Sequence, residues 1–253
     1  MTWGDGSLIA LAGMVAGLIN VMVGSGTLVT FPTLLALGYS PIVANVSNTV
    51  GLVPGSLAGV VGYRRELREQ RTRVVRLAVA SLLGGIAGAV LLLTLPSGAF
   101  DAIVPVLIGL GCLLVALQPT ISARLKERVV VGAGAAPHGS ALVWVLVLLT
   151  GVYGGYFGAA QGVLLLAVMG IGLGDDLQRL NAVKNVLAML VNAVAGVIFI
   201  VSAPVDWQVV VLIAAGAVVG GSLGAPIGRR VPPLAFRAFI VIVGVVAIVA
   251  LVL

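Results

Sequence analysis

The sequence predicts an all-α polytopic membrane protein built from two inverted repeats, each a broken re-entrant hairpin plus three transmembrane helices. Three observations carry that expectation. The chain of 253 residues is 60% hydrophobic and 9% charged, with mean hydropathy +1.23, a balance that soluble globular domains do not have. Apolar runs close to the spanning length of about 18–20 residues recur along it. An apolar stretch interrupted by small residues occurs twice, at Gly24-Ser25-Gly26 and at Gly158-Ala159-Ala160-Gln161-Gly162.

Taken in order, residues 7–23 read as an apolar helical arm carrying one amide, Asn20, and residues 26–37 as a second, shorter arm. At about 1.5 Å per residue the second arm covers only about half of a hydrocarbon core roughly 30 Å thick. A broken pair of half-helices deep in an apolar chain points to a transporter binding site. Gly38, Ser40 and Pro41 end the hairpin and start a helix over 41–62 that carries Asn45, Ser47, Asn48 and Thr49. The loop 63–74 is basic, and helices follow at 75–94 and 101–118, joined by Leu95-Pro96-Ser97-Gly98. Pro119, a charged run at Arg124-Leu125-Lys126-Glu127-Arg128 and a Gly/Ala/Pro-rich tract containing His138 mark 119–140 as a linker. Residues 141–157 and 162–173 form the second broken hairpin, and helices are expected at 179–201, 208–227 and 234–252. The division is therefore a first transmembrane repeat at 1–118, a cytoplasmic linker at 119–140 and a second transmembrane repeat at 141–253.

The halves resemble each other. Ser47-Asn48 and Ala58-Gly59-Val60 match Lys184-Asn185 and Ala195-Gly196-Val197 at an offset of 137 (185 − 48). Gly84-Gly85 and Gly88-Ala89 match Gly220-Gly221 and Gly224-Ala225 at 136 (220 − 84), which is also the spacing of Gly26 and Gly162. Such constancy across separate segments reads as an internal duplication. Arginine placement sets the orientation. With Arg64, Arg65, Arg68, Arg71, Arg73 and Arg76 in the cytoplasm, the cation-free loops 95–100 and 202–207 lie outside. Arg229 and Arg230 lie inside only if 141–173 dips in and returns. The same treatment of 7–37 puts both termini outside, and the odd number of crossings per half makes the repeats inverted. Backbone broken at membrane depth is tolerated only where protein or an aqueous cavity satisfies it.

The net charge of +6 sits in these short loops and does not point to nucleic acid. Cys112 and His138, each the only residue of its type, give no disulfide framework or metal site. The first residues lack the basic n-region of a cleavable signal peptide, and no GxxxxGK[ST] motif occurs. No cofactor is expected. The expected partners are a small anionic substrate and the lipid bilayer, with a homodimer compatible with the chain.

The residues around each break suit an anion. The first residues after a break open a short helix, whose free N–H groups and positive dipole end face the membrane interior. Gly24 and Gly26 allow close backbone approach, and Ser25 and Thr27 offer hydroxyls. Gln161 and Gly162 hold the related place in the second half. Asn48 and Thr49 lie on the helix after the first break, and Lys184 and Asn185 on the helix after the second, with Asn181 and Asn192 on the same face. Lys184 is the one cation well inside a predicted helix, and intramembrane ionisable groups are costly and usually functional. Snorkelling or pairing with Asp175 or Asp176 are its structural alternatives. The pattern GLINVMVGSGTLVTFPTLLALGYSPIVANVSNTV, echoed by GVYGGYFGAAQGVLLLAVMGIGLGDDLQRLNAVKNVL, resembles the sulfite exporter TauE/SafE family of bacterial membrane permeases over essentially the whole chain. The second break is less glycine-rich than the first. The resemblance implies a permease of the bacterial inner membrane that moves a small sulfur-containing anion: sulfite, a sulfonate or a sulfoacetate-like compound. An intramembrane enzyme is disfavoured because no Ser/His, paired-acid or metal constellation is present. A membrane scaffold needs neither the duplicated breaks nor their polar follow-on helices.

Overall fold

The computed structural model describes residues 2–131 and 139–228, together with positions 238, 240–243, 245–246 and 249. Nine α-helices and no strands are found among the described residues: α1 Trp3–Met22, α2 Thr27–Ala36, α3 Pro41–Gly62, α4 Arg71–Thr94, α5 Ser97–Val131, α6 Ala141–Tyr156, α7 Gln161–Leu173, α8 Leu177–Ser202 and α9 Trp207–Gly228. Of these, α1, α4, residues 98–120 of α5, α8 and α9 are long and apolar enough to cross a membrane. With 22 residues α3 is equally long, but it carries Asn45, Ser47, Asn48 and Thr49, all buried. Like α8, with its buried Asn181, Lys184 and Asn185, it turns a polar face inward. The expected helix 234–252 and the pair Arg229-Arg230 fall largely or wholly outside the described residues, as does His138.

Several expected boundaries move: α4 starts at Arg71 rather than 75, which shortens the basic loop to 63–70, and α5 starts at Ser97 rather than 101. The helix α1 starts at Trp3 rather than residue 7, because Thr2 and Asp5 form a reciprocal capping box. Asp5 N donates to Thr2 Oγ1 at 3.2 Å and Thr2 N to Asp5 Oδ2 at 2.7 Å. The first arm is therefore a full-length helix of 20 residues, not a half-helix. The helix α5 continues through Pro119 to Val131, so the first part of 119–140 is helical. Its Arg-Leu-Lys-Glu-Arg run consists of good helix formers. At about 1.5 Å per residue such a helix is longer than the hydrocarbon core and must project beyond it.

Side-chain and backbone contacts fix how the hairpins turn. The Arg73–Asp175 ion pair, at 2.6 Å, places the start of α4 and the loop after α7 at one end of the molecule. Asp206 N donates to Ser47 Oγ at 2.9 Å, which places the start of α9 beside the first turns of α3 at the other end. The tip of α2 returns to where α1 began: Asp5, Leu37, Gly38 and Tyr39 line one shallow cavity. The start of α6 and the end of α7 also meet, with Gly139 against Leu173 and Gly172 against Val143. Each hairpin thus returns to its own starting end, and the two starting ends are opposite.

Each hairpin packs on a helix of the other half. Along α1 and α9, a Cβ added to Gly13 or Gly17 would stand 2.7 or 2.4 Å from the carbonyls of Ile213 and Ala217, and one on Gly216 or Gly220 would meet those of Ala10 and Met14. Along α4 and α6, Gly84 and Gly88 stand the same way against the carbonyls of Leu148 and Val152. Close backbone approach through small residues is how helices associate where lipid offers no hydrophobic gain. The sequence-matched Gly84 and Gly220 thus make matching contacts, whereas Gly224, the match of Gly88, meets the Val21 side chain first.

Candidate functional site

Both breaks begin in the same hydrogen-bond register and differ two residues on, where Gly26 has φ −57° and Ala160 φ +58°. Val23 and Gly24 N–H donate to Ile19 O at 2.7 and 3.1 Å, and Phe157 and Gly158 N–H donate to Tyr153 O at 3.0 and 3.1 Å. Gly24 and Gly158 take φ of +85° and +76°, values suited to glycine. The register equates Gly24 with Gly158, and Gly26 with Ala160, at an offset of 134 (158 − 24). The sequence pairing of Gly26 with Gly162 is therefore shifted: α7 has 13 residues and α2 has 10, so the offset changes between the breaks and the helices that follow.

The breaks touch. Gly162 N–H donates to Gly24 O at 3.0 Å, and a Cβ on Gly24 would lie 2.4 Å from Gly162 Cα. A Cβ on Gly26 would lie 2.4 Å from Ala16 O. The space that glycine leaves at these positions is filled by the opposing backbone, and the Gly162 N–H is spent on it. The packing of α5 covers the crossing, with Gly111 against Leu28 and Ala159. Phe31 of the first hairpin meets Phe157 of the second edge-on at 5.0 Å, and Phe100 closes against Tyr156 and Phe157 at 5.6 and 6.2 Å.

Lys184 is fully buried. It does not snorkel, and it pairs with no acid among the described residues. Its Nζ donates to Asn20 O and Val21 O, both at 3.0 Å, and its Cδ lies 3.0 Å from where a Cβ on Gly162 would stand. The ammonium therefore caps the last carbonyls of α1, where the helix dipole is negative and intrahelical donors have run out. Val21 O also accepts from Asn181 Nδ2 and Asn185 Nδ2 at 3.3 Å each. Asn20 Nδ2 donates to Ser56 Oγ at 3.2 Å. Asn48 holds α2: Thr30 Oγ1 donates to its Oδ1, and its Nδ2 donates to Thr27 Oγ1 at 3.3 Å. Thr49 Oγ1 turns back to Asn45 O at 2.9 Å. Ser25 Oγ and Gln161 Nε2 are buried at the breaks without a hydrogen-bond partner among the described residues. Burial without a partner costs a polar group about 1–3 kcal/mol.

The structure thus gathers Asn20, Gly24, Thr27, Asn48, Gly162, Lys184 and Asn185 around one crossing, with Ser25, Gly26 and Gln161 at its edges and Thr49 turned into its own helix. To these it adds Asn45. Asn45 Nδ2 donates to Tyr156 O at 3.0 Å, as Asn181 does to Val21 O. Both cap the hairpin of the other half, and their spacing of 136 (181 − 45) was the available signal. Thr30 and Tyr153, whose hydroxyl donates to Ala159 O at 2.5 Å, had no such signal. Asp175 closes the mouth of the second hairpin. Burial pushes its carboxyl up, but the Arg73 hydrogen bond, the Asp176 N–H and the charges of Arg73 and Arg179 win, and hold it below the usual range.

Known proteins share this chain's pattern. The family model described as Sulfite exporter TauE/SafE matches residues 9–251. A protein of Escherichia coli K12 named "Probable membrane transporter protein YfcA" is 26% identical over 234 residues, 92% of this chain and 84% of its own. A "Probable membrane transporter protein" of Haemophilus influenzae is 24% identical over 222 residues, 87% of this chain and 83% of its own. One of Sinorhizobium, named ORF9, is 25% identical over 219 residues, 87% and 81% of the two chains.

Proposed function

As a member of the sulfite exporter TauE/SafE family of membrane transporters, to which its match over residues 9–251 assigns it, the chain has a crossing of broken hairpins through which, we propose, a small sulfur-containing anion passes. Sulfite, a sulfonate and a sulfoacetate-like compound are the candidates. The membrane is the bacterial inner membrane, the halves are inverted repeats, and loop 63–70 faces the cytoplasm with both termini outside. The observation that carries the reading is the meeting of two oppositely directed breaks at Gly24 and Gly162, with buried donors already assembled around them.

Those donors suit a trigonal or tetrahedral oxyanion. The helix starts at Gly26-Thr27 and Gln161-Gly162 supply N–H groups and the positive end of a dipole. Ser25 Oγ and Gln161 Nε2 have no other hydrogen-bond partner among the described residues. The Gly162 N–H and the Lys184 ammonium are spent on the end of α1 in the closed arrangement. When the hairpins part, both become free, and an anion that takes them up is favoured over the carbonyls they leave. Asn48 and Asn185 hold the break segments in place on either side. The test is a melting panel on purified protein with sulfite, sulfonates, chloride, phosphate and small carboxylates. A saturable stabilisation confined to the sulfur oxyanions is expected. Stabilisation by carboxylates alone, with none by any sulfur anion, would overturn the substrate class.

A further inference from the structure

The C-terminal ends of α1 and α6 match in geometry but not in charge. Each runs into a glycine break with the same hydrogen-bond register. Each is capped by an asparagine from the polar helix of the other half, Asn181 on Val21 O and Asn45 on Tyr156 O, one residue further along in the shared register. Both asparagines are buried, at 6% and 1% exposure, and the Oδ1 of each has no hydrogen-bond partner among the described residues. At α1 the negative end of the dipole is met by the Lys184 ammonium. At α6 it is not. The residues that match Lys184 at offsets 136 and 137 are Asn48 and Ser47, both neutral and both engaged elsewhere, with α2 and with Asp206 N.

We propose that a sodium ion binds at the C-terminal end of α6, held by Tyr156 O and Asn45 Oδ1, in the role that the Lys184 ammonium fills at α1. The donors are neutral oxygens, which suit a hard monovalent cation, whereas calcium and magnesium sites draw on carboxylates. Ends of interrupted helices are where transporters coordinate such ions. Asn45 Oδ1 supplies the second observation: an acceptor sealed from water, on the amide whose nitrogen already touches the last carbonyl of α6. A carbonyl oxygen has a second lone pair left for the ion. As the coupling ion for transport, sodium rests on the proposed function; as a ligand, it does not.

The experiment is melting of the purified protein in sodium chloride against choline chloride at constant ionic strength, without oxyanion. Wild type is expected to gain a saturable rise of several degrees in sodium. Asn45→Ser, which withdraws the amide oxygen, is expected to lose that rise, while Asn181→Ser keeps it. Equal melting of wild type in the two salts overturns the site, as does a full sodium rise in Asn45→Ser. Should Asn45→Ser fail to fold, equilibrium binding of radioactive sodium to wild type decides: saturable binding supports the site and its absence overturns it. A sulfite shift that persists with no sodium effect overturns the sodium site and leaves the proposed function standing.

Discussion

Replacing Lys184 by methionine removes the ammonium and keeps an unbranched stem over Gly162. The two hydrogen bonds lost run to Asn20 O and Val21 O. Val21 O retains Asn181 and Asn185, so the exposed cost falls on Asn20 O. A buried group losing its partner costs about 1–3 kcal/mol, and a cation removed from a partly buried helix C-terminus up to about 2 kcal/mol. Against this, lysine at the centre of a membrane helix costs about 2.5–3.5 kcal/mol on insertion scales, which methionine recovers. The terms largely cancel, and stability is expected to fall by no more than about 2 kcal/mol. Anion binding has no such compensation. Losing a hydrogen bond to a charged group weakens it by about 1.5–3 kcal/mol, or one to two decades in Kd. Calorimetric titration of wild type and Lys184→Met with the best sulfur oxyanion, at two salt concentrations, measures it. Equal Kd values at both, in a variant that melts normally, would refute a substrate role for the ammonium and leave it a structural cap.

Gly24→Ala combines a left-handed backbone with a clash on Gly162, and should lower stability by about 2–4 kcal/mol from strain and overpacking together. A drop of less than a degree in melting would show that the breaks do not touch. Asp175→Asn removes the ion pair that seats the α7–α8 connection on α4, and should raise the reactivity of a cysteine placed at Gln178 without abolishing folding. Because the folded carboxyl lies below its unfolded value, its contribution is fully present above the ordinary aspartate range and is lost as pH falls through the lowered value. Melting of wild type relative to Asp175→Asn should thus be constant from about pH 5 to 8, and a gap that closes toward pH 5 would contradict this. In a Cys112→Ala background, cysteines at Ser40 and at Glu69 should label from opposite sides of the membrane. A cysteine at Thr2 should label from the same side as Ser40, and labelling of Thr2 and Ser40 from opposite sides would remove the re-entrant first hairpin.

The spanning helices were legible because lipid forces apolarity on any helix it surrounds, and the breaks because glycine and a polar follow-on helix are costly there without cause. What packing decides was less legible. Thr2 and Asp5 lengthen α1 through a cap that hydropathy ignores. Pro119 reads as a stop, yet α5 runs through it. The glycines of the break looked free to admit a ligand; Gly24 and Gly162 instead admit each other. Lys184 stood out as a buried cation, but its partners are backbone carbonyls 163 and 164 residues away, and carbonyls leave no trace in a sequence. Asn45 and Asn181 were visible as a matched pair; their common task at the hairpin ends depends on which helix tip the fold brings to each.

The measurement that reaches furthest is flux of radiolabelled sulfite and of a labelled sulfonate through proteoliposomes holding wild-type protein or Gly162→Leu, with both preparations checked for monodispersity. Wild type should carry at least one of them saturably above protein-free vesicles. The leucine, wedged between Gly24 and the Lys184 stem where even a Cβ meets backbone at 2.5 Å, should reduce that flux to background. Wild-type vesicles that carry neither anion, or a folded Gly162→Leu that carries them as well as wild type, would contradict transport through the hairpin crossing.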